Sequence, residues 1–309
     1  MTWTDAQGNL IARVLSDLFS HEQGEAMMEQ LVKTYKDGIA FVTEFSGVDV
    51  PGQVLFAIGE ELKAFKKISC CNVCYISACD IDPKCRAVLA AFPRSTKPVH
   101  IGEDILQKLP ADVRQEPTAL TEQLCTTRAC DVSDNAFADE VMELLCQRCG
   151  DPSTLSQPCT LHPGQKCNLL HDPCASSTKG IRLLVAGVTC TDFTVAGSRK
   201  GFRGLSALPL LVFIWSRREA VDDIIIIEEA ASFARAMMPT LQKFLGAAYN
   251  LEHVLLCPSA FGLAHDSQTN VRSADLAQER LDQDTFHTAA ATLLHEDCRA
   301  ERGRALRGP

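Results

Sequence analysis

Cys190 stands where an apolar run gives way to glycines and basic residues, in LLVAGVTCTDFTVAGSRKGFRG (183–204). A thiol so placed can act as a nucleophile once deprotonated, because the thiolate is the attacking species. Residue type alone decides nothing, since the chain holds 15 cysteines and a cysteine is most often a small buried apolar side chain. Position adds weight. A second run, IIIIEEA, carries Glu228 after four isoleucines, where a carboxylate is expected to be partly buried and to need a partner. Neighbouring strand residues face opposite sides, so only one of Glu228 and Glu229 points into a given pocket. Gly47, Asp80 and Asp104 also fall at expected strand ends. Arg199, Lys200 and Arg203, opposed nearby only by Asp192, form a positive patch suited to phosphates.

The elements that must position these residues alternate along the chain. Residues 5–36 have apolar positions at helical spacing with a polar break near His21–Gly24, which predicts two helices. GIAFVTEF (38–45) predicts a strand, and QVLFAIGEELKAF (53–65) a helix. VCYISACDI (73–81) predicts a second strand, followed by a helix with Asp82 as N-cap and Pro83 at its first position. PVHI (98–101) predicts a short third strand. IRLLVAGV (181–188) and DIIIIEEA (223–230) are continuous apolar runs, as expected of strands covered on both faces, with a helix over about 206–220 between them. A helix over 232–246 and a strand at LEHVLLCPS (251–259) follow. This alternation implies an α/β fold, mostly parallel with helices on both faces, in which ligands bind beyond the carboxyl ends of the strands.

The chain has 309 residues, 46% hydrophobic and 22% charged, with a formal net charge of -9. That balance argues against a broadly basic nucleic-acid coat protein while leaving room for a local basic loop. Its apolar stretches fall short of the roughly 20 residues a membrane span needs, so no membrane partner is expected. MTWTDAQGNL lacks the features of a secretory signal, and the odd cysteine count agrees with free thiols. The expectation is an intracellular protein, nuclear if the source is eukaryotic.

In series, several segments resemble the cytosine-C5 DNA methyltransferase family. FSGVDVPG (45–52) resembles its FxGxGG turn, ACDIDPKC (78–85) its acidic segment after the second strand, and GEDI (102–105) its GDI. GVTCTDFTVAGSRKG (187–201) resembles GxPCQDFSxAGxxxG, and IIIIEEAASF (224–233) the strand ending in ENV. The resemblance implies a Rossmann-like fold that binds S-adenosylmethionine through Phe45, Ser46, Gly47, Val48, Asp80, Ile81, Asp104 and Ile105. It also implies catalysis by Cys190 and Glu228 on a cytosine flipped out of double-stranded DNA, with Arg199, Lys200, Arg203 and Arg272 near the nucleic acid. RNA stays open as a substrate, although the CFT signature of the family's tRNA-modifying branch is not visible.

Three places depart from the pattern: Thr189 replaces a proline, Asp49 and Val50 replace glycines, and Glu229 and Ala230 replace Asn-Val. The family's QxRxR is met only by SQTNVRSAD, where Arg272 is the one counterpart. The resulting division is a helical segment (1–37), a methyltransferase-like domain (38–272) and a C-terminal helix with a basic tail (273–309). The alternative reading is a catalytically inactive methyltransferase-like binding module or a truncated relic.

The segment from about 108 to 178 interrupts the alternation and holds seven cysteines, Cys125, Cys130, Cys146, Cys149, Cys159, Cys167 and Cys174, with His162 and His171. CQRC (146–149) and the residues after it could supply zinc ligands, but the second CxxC half is missing. An irregular thiol-rich loop is therefore preferred to a structural zinc site, and no metal ligand is assigned.

Overall fold

The computed structural model describes residues 11–17, 20, 22–115, 119, 134–149, 156–168, 180–189, 191–193, 200–220, 222–256 and 288–294. The chain divides into two compact units. One comprises Met1–Lys108, Asp151–Ala186 and Ala220–Ile224, the other Leu109–Gly150, Gly187–Glu219 and Ile225–Pro309.

In the first unit, β1 (Ile39–Glu44) lies between β2 (Val73–Cys79) and β6 (Ile181–Ala186), parallel to both. β3 (His100–Gly102) continues the parallel set beside β2. β1 is buried along its whole length, through the apolar run Ile39–Val42 and on over Thr43 and Glu44. Because β1 leads to β2 on one side and borders β6 on the other, the strand order reverses at β1, and the loop after it opens at the switch point. The α/β architecture with a parallel sheet at its heart is thus as the alternation implies. β4 (Gln157–Cys159) and β5 (His162–Cys167), from the interrupting segment, add an antiparallel hairpin outside β3.

Helices between the strands start and stop for local reasons. α1 (Gly24–Asp37) buries Met28 and Tyr35. α2 (Val50–Ala64) begins three residues earlier than its apolar periodicity suggests, because Asp49 caps it and Pro51 fits its first turn. It ends in a Schellman arrangement: Lys66 is left-handed (φ 54), Lys67 N–H donates to Leu62 O at 3.0 Å and Lys66 N–H to Lys63 O at 2.9 Å. α3 (Pro83–Ala91) has the expected cap, Asp82 Oδ1 accepting from Lys84 N–H at 2.8 Å, and stops before Pro93. Leu62 and Leu89, both fully buried, join Phe41, Tyr75, Ile101 and Tyr35 in one core. Each such side chain contributes about 1.5–3 kcal/mol.

The second unit holds α4 (Asp134–Arg148), α5 (Ala207–Glu219), β7 (Ile224–Ala230, all but its first residue), α6 (Ala231–Leu245), β8 (Asn250–Leu256) and β9 (Thr288–Leu294). α5 packs against α4 and α6 and is buried over Leu210–Trp215, the apolar run LLVFIW. Residues 288–294, assigned to a C-terminal helix by sequence, instead form β9 and pair antiparallel with all seven residues of β8. Cross-strand pairing overrides a weak local preference in TAAATLL. Among the described residues no helix is long and apolar enough to cross a membrane.

Candidate active site

Three strand ends in the first unit carry the residues expected to meet a nucleotide-like cofactor. After β1 the chain turns sharply, with Phe45 (φ 54), Gly47 (φ 54) and Asp49 (φ 57) all left-handed. Gly47 adopts that backbone without a steric cost, and a Cβ there would meet nothing within 4 Å. Gly47 N–H donates to Asp80 Oδ2 at 2.7 Å, and Asp82 N–H donates to Asp80 Oδ1 at 2.8 Å. Asp80 is thereby oriented by both neighbouring backbones. Each carboxylate oxygen keeps a second lone pair for another donor.

Ser46 is a clamp between the same two loops. Its hydroxyl accepts from Cys79 N–H at 3.0 Å and donates to Cys79 O at 3.1 Å, while its own N–H also donates to Cys79 O at 3.0 Å. Val48 and Ile81 are exposed, Ile81 by 71%. Asp104 Oδ1 accepts from Leu106 N–H at 2.9 Å at the start of a 3-10 turn (Ile105–Lys108), within which Ile105 is buried. That turn returns Lys108 to Glu44, and the two form a buried ion pair beneath the end of β1.

Asp49 shows how one departure from the family pattern is accommodated. Aspartate tolerates the left-handed backbone better than most residues, and Asp49 Oδ1 accepts from Gly52 N–H at 3.1 Å as the cap of α2. The side chain is 1% exposed. Burial pushes its carboxyl up to about 7, against a partial offset from Tyr75 and the Gly52 amide. The sequence marks this residue as a mismatch, although an Asp followed by Pro51 is itself a helix-start signal.

In the second unit, Val188 is buried and Gly187 and Thr189 are exposed. Cys190, Arg199 and Arg272 lie outside the described residues, and of Arg203 only the backbone is described, in a 3-10 turn (Gly201–Arg203). Lys200 is exposed. Two residues past Cys190, Asp192 is buried, accepting through Oδ2 from Ser206 N–H at 2.9 Å and Ser206 Oγ at 2.6 Å. Gly201 N–H donates to Asp192 O at 2.7 Å, so the loop is closed at its base. Phe193 packs edge-on against Phe202 and Phe233. Asp192, read from sequence only as a local counter-charge, is the latch of this loop.

The burial expected of Glu228 falls instead on its neighbour. Glu229 is 4% exposed, whereas Glu228 is exposed. The pleat is the reason: Glu229 shares a face with the buried Ile225 and Ile227. Glu228 lies within β7, two residues before its end.

In the interrupting segment, Cys159, His162 and Cys167 come together with His100 of β3. His100 Nδ1 and His162 Nδ1 are 3.3 Å apart, and Cys159 Sγ is 3.3 Å from His162 Nδ1 and 3.9 Å from His100 Nδ1. Burial alone would push the Cys159 thiol up, but hydrogen bonds from His100, the Ile101 amide, His162 and the Leu161 amide outweigh it and hold the thiol at about 6. Cys146 and Cys149 of CQRC sit at the end of α4 in the second unit and are not members of this quartet. His171 and Cys174 lie outside the described residues.

No family model matches the chain, and no curated protein matches it. Solved structures similar to it include the Dnmt2 methyltransferase of S. pombe, at 10% identity and a TM-score of 0.37, covering 84% of this chain and 50% of that one. A prophage-encoded E. coli protein described as a DNA modification methyltransferase matches at 8% identity and a TM-score of 0.38, covering 84% and 47%. The Entamoeba histolytica methyltransferase EhMeth matches at 9% identity and a TM-score of 0.33, covering 84% and 57%. The chain spans about half the length of the solved structures it matches.

Proposed function

We propose that the chain is an S-adenosylmethionine-dependent DNA (cytosine-5-)-methyltransferase acting through a covalent adduct of Cys190. The observation that carries the reading is the hydrogen bond from Gly47 N–H to Asp80, which orients an acid between two strand ends at the switch point of the sheet. The residues there fit the cofactor. Asp80 has lone pairs left for two ribose hydroxyls, exposed Ile81 offers an apolar face to adenine, and Asp104 can accept from the adenine amino group. Phe45 to Val48 would line the methionine end, and Ile105, buried beside Asp104 in sequence, completes the set. When bound, S-adenosylmethionine supplies an electrophilic methyl group.

Cytosine C5 is a weak nucleophile, and covalent help from the protein answers that. The Cys190 thiolate adds to ring C6 and makes C5 carbanion-like. Glu228 hydrogen-bonds at N3 as charge develops there. Once C5 carries the methyl group, a base removes the C5 proton and the thiolate is expelled, restoring the ring. A stacked base is out of reach for this chemistry, so the nucleotide leaves the duplex. Lys200, exposed beside the 3-10 turn, meets phosphate together with Arg199 and Arg203, and Arg272 adds a further cation.

The test is trapping on duplex DNA containing 5-fluorocytosine, whose C5 fluorine cannot leave as a proton does. With cofactor present, the wild-type chain forms a denaturant-stable adduct and Cys190→Ala forms none. Equal trapping by both proteins, or by neither, ends this reading. Cofactor binding without any adduct would favour the binding-module alternative.

A further inference from the structure

Four side chains that could each give one lone pair to a cation converge in the first unit: His100 from β3, Cys159 from β4, and His162 and Cys167 from the two ends of β5. All four ligand atoms lie within 4.8 Å of one another. A tetrahedral zinc site with its usual bond lengths sets nitrogen–nitrogen edges of about 3.3 Å, nitrogen–sulfur edges of about 3.6 Å and sulfur–sulfur edges of about 3.8 Å. The nitrogen–nitrogen separation here is 3.3 Å, and three of the four nitrogen–sulfur separations are 3.3, 3.5 and 3.9 Å. The two imidazoles meet through Nδ1 on both sides. Two neutral rings can share at most one proton between those atoms, whereas a cation satisfies both lone pairs at once.

The hairpin itself points the same way. β5 is intermediate at its two ligand residues and exposed at every position between them, so it buries little. β3 and β4 share a single registered pair, Gly102 with Cys159. β4 is buried at Gln157 and Cys159, but the exposed β5 and the short ladder leave the hairpin weakly held to the sheet, and small apolar-poor elements are commonly held by metals or disulfides. We infer that His100, Cys159, His162 and Cys167 form a structural zinc site that staples the β4–β5 hairpin to the edge of the parallel sheet. All four corners are filled by side chains, which leaves no open position for substrate and makes the role structural. Binding requires both thiols as thiolates and both imidazoles neutral, so loading zinc releases protons from the thiols. His100 stands two residues before Gly102 and four before Asp104, so the staple also fixes the strand that leads to the expected adenine contact.

The site differs from the one suggested by cysteine spacing, which drew on CQRC and had no reason to include a histidine 59 residues before Cys159. It stands apart from the proposed activity, and its test needs no turnover. The purified 309-residue chain, stripped of loosely held metal and analysed by mass spectrometry of the elements, is expected to carry about one zinc. His100→Ala and Cys167→Ser each lower this to roughly a tenth, while Cys146→Ser and Cys149→Ser leave it unchanged. His100→Cys, which keeps a ligand at that corner, retains the metal. In the wild-type chain, Cys159 and Cys167 resist alkylation until zinc is chelated. A chain without stoichiometric zinc, zinc kept by both ligand variants, or equal alkylation of these two thiols before and after chelation would overturn the inference.

Discussion

Gly47 N–H donates to Asp80 Oδ2 at 2.7 Å across 33 residues of sequence, tying the turn after β1 to the end of β2. The bond joins a backbone amide to a side-chain carboxyl group, a geometry that holds two loops in register. Asp80→Ala removes it together with the bond from Asp82 N–H. Calorimetry is expected to find S-adenosylmethionine binding about 10- to 100-fold weaker in this variant, with Asp80→Asn intermediate. Undiminished binding in Asp80→Ala would remove the acid from the cofactor site.

The two glutamates of β7 separate by burial. Glu228→Gln is expected to lower the rate of methyl transfer by about two orders of magnitude or more with little change in melting temperature, since the side chain is exposed. Glu229→Gln should act chiefly on stability, because its side chain is 4% exposed. The reverse pattern in a filter-binding methylation assay and a melting scan would move the catalytic assignment to Glu229.

Asp49 gives the protein a defined pH dependence. Its folded carboxyl keeps a proton up to about pH 7, whereas the unfolded one releases it near 3.8. The folded chain therefore binds more protons in that window, and stability falls as pH rises through it, by on the order of 4 kcal/mol. Asp49→Asn preserves an acceptor for Gly52 N–H and removes the titration. Urea unfolding at both ends of the window should show the wild-type chain weakening with pH and the variant weakening less. Identical pH profiles would mean that another group titrates.

The Glu44–Lys108 pair is buried on both sides, at 3% and 5% exposure. Replacing Lys108 with methionine keeps the volume but leaves a carboxylate in a low-dielectric site, at a cost of about 3–5 kcal/mol. Denaturant unfolding measures this directly. The double variant Glu44→Leu with Lys108→Met should recover most of the loss, and failure to do so would mean that the pair is not the coupled unit.

Asp192 should matter to the cysteine loop through position rather than chemistry. Asp192→Ala strips the two bonds from Ser206 and is expected to cost about 2 kcal/mol. Adduct formation at Cys190 should slow, while S-adenosylmethionine affinity stays as it was. A fall in affinity matching the fall in trapping would argue against a role confined to the loop.

Much of the first unit was legible in the residues themselves. The apolar residues of Ile39–Glu44, Val73–Cys79 and Ile181–Ala186, interrupted only by Thr43, Glu44, Ser77 and Arg182, announce strands, and Asp82-Pro83 announces a helix start, because burial and capping act over a few neighbouring residues. What sequence spacing could not reach depends on contacts between distant segments. Residues 288–294 became a strand only through pairing with β8. Of the two adjacent glutamates, the pleat of β7 decided which is buried. His100 joined Cys159, His162 and Cys167 because β3 and β4 are neighbours in the sheet, and no periodicity along the chain encodes that neighbourhood. Local order follows from short-range sterics and hydrogen bonding, which the sequence displays; the meeting of ligands and acids follows from sheet order, which only the folded chain sets.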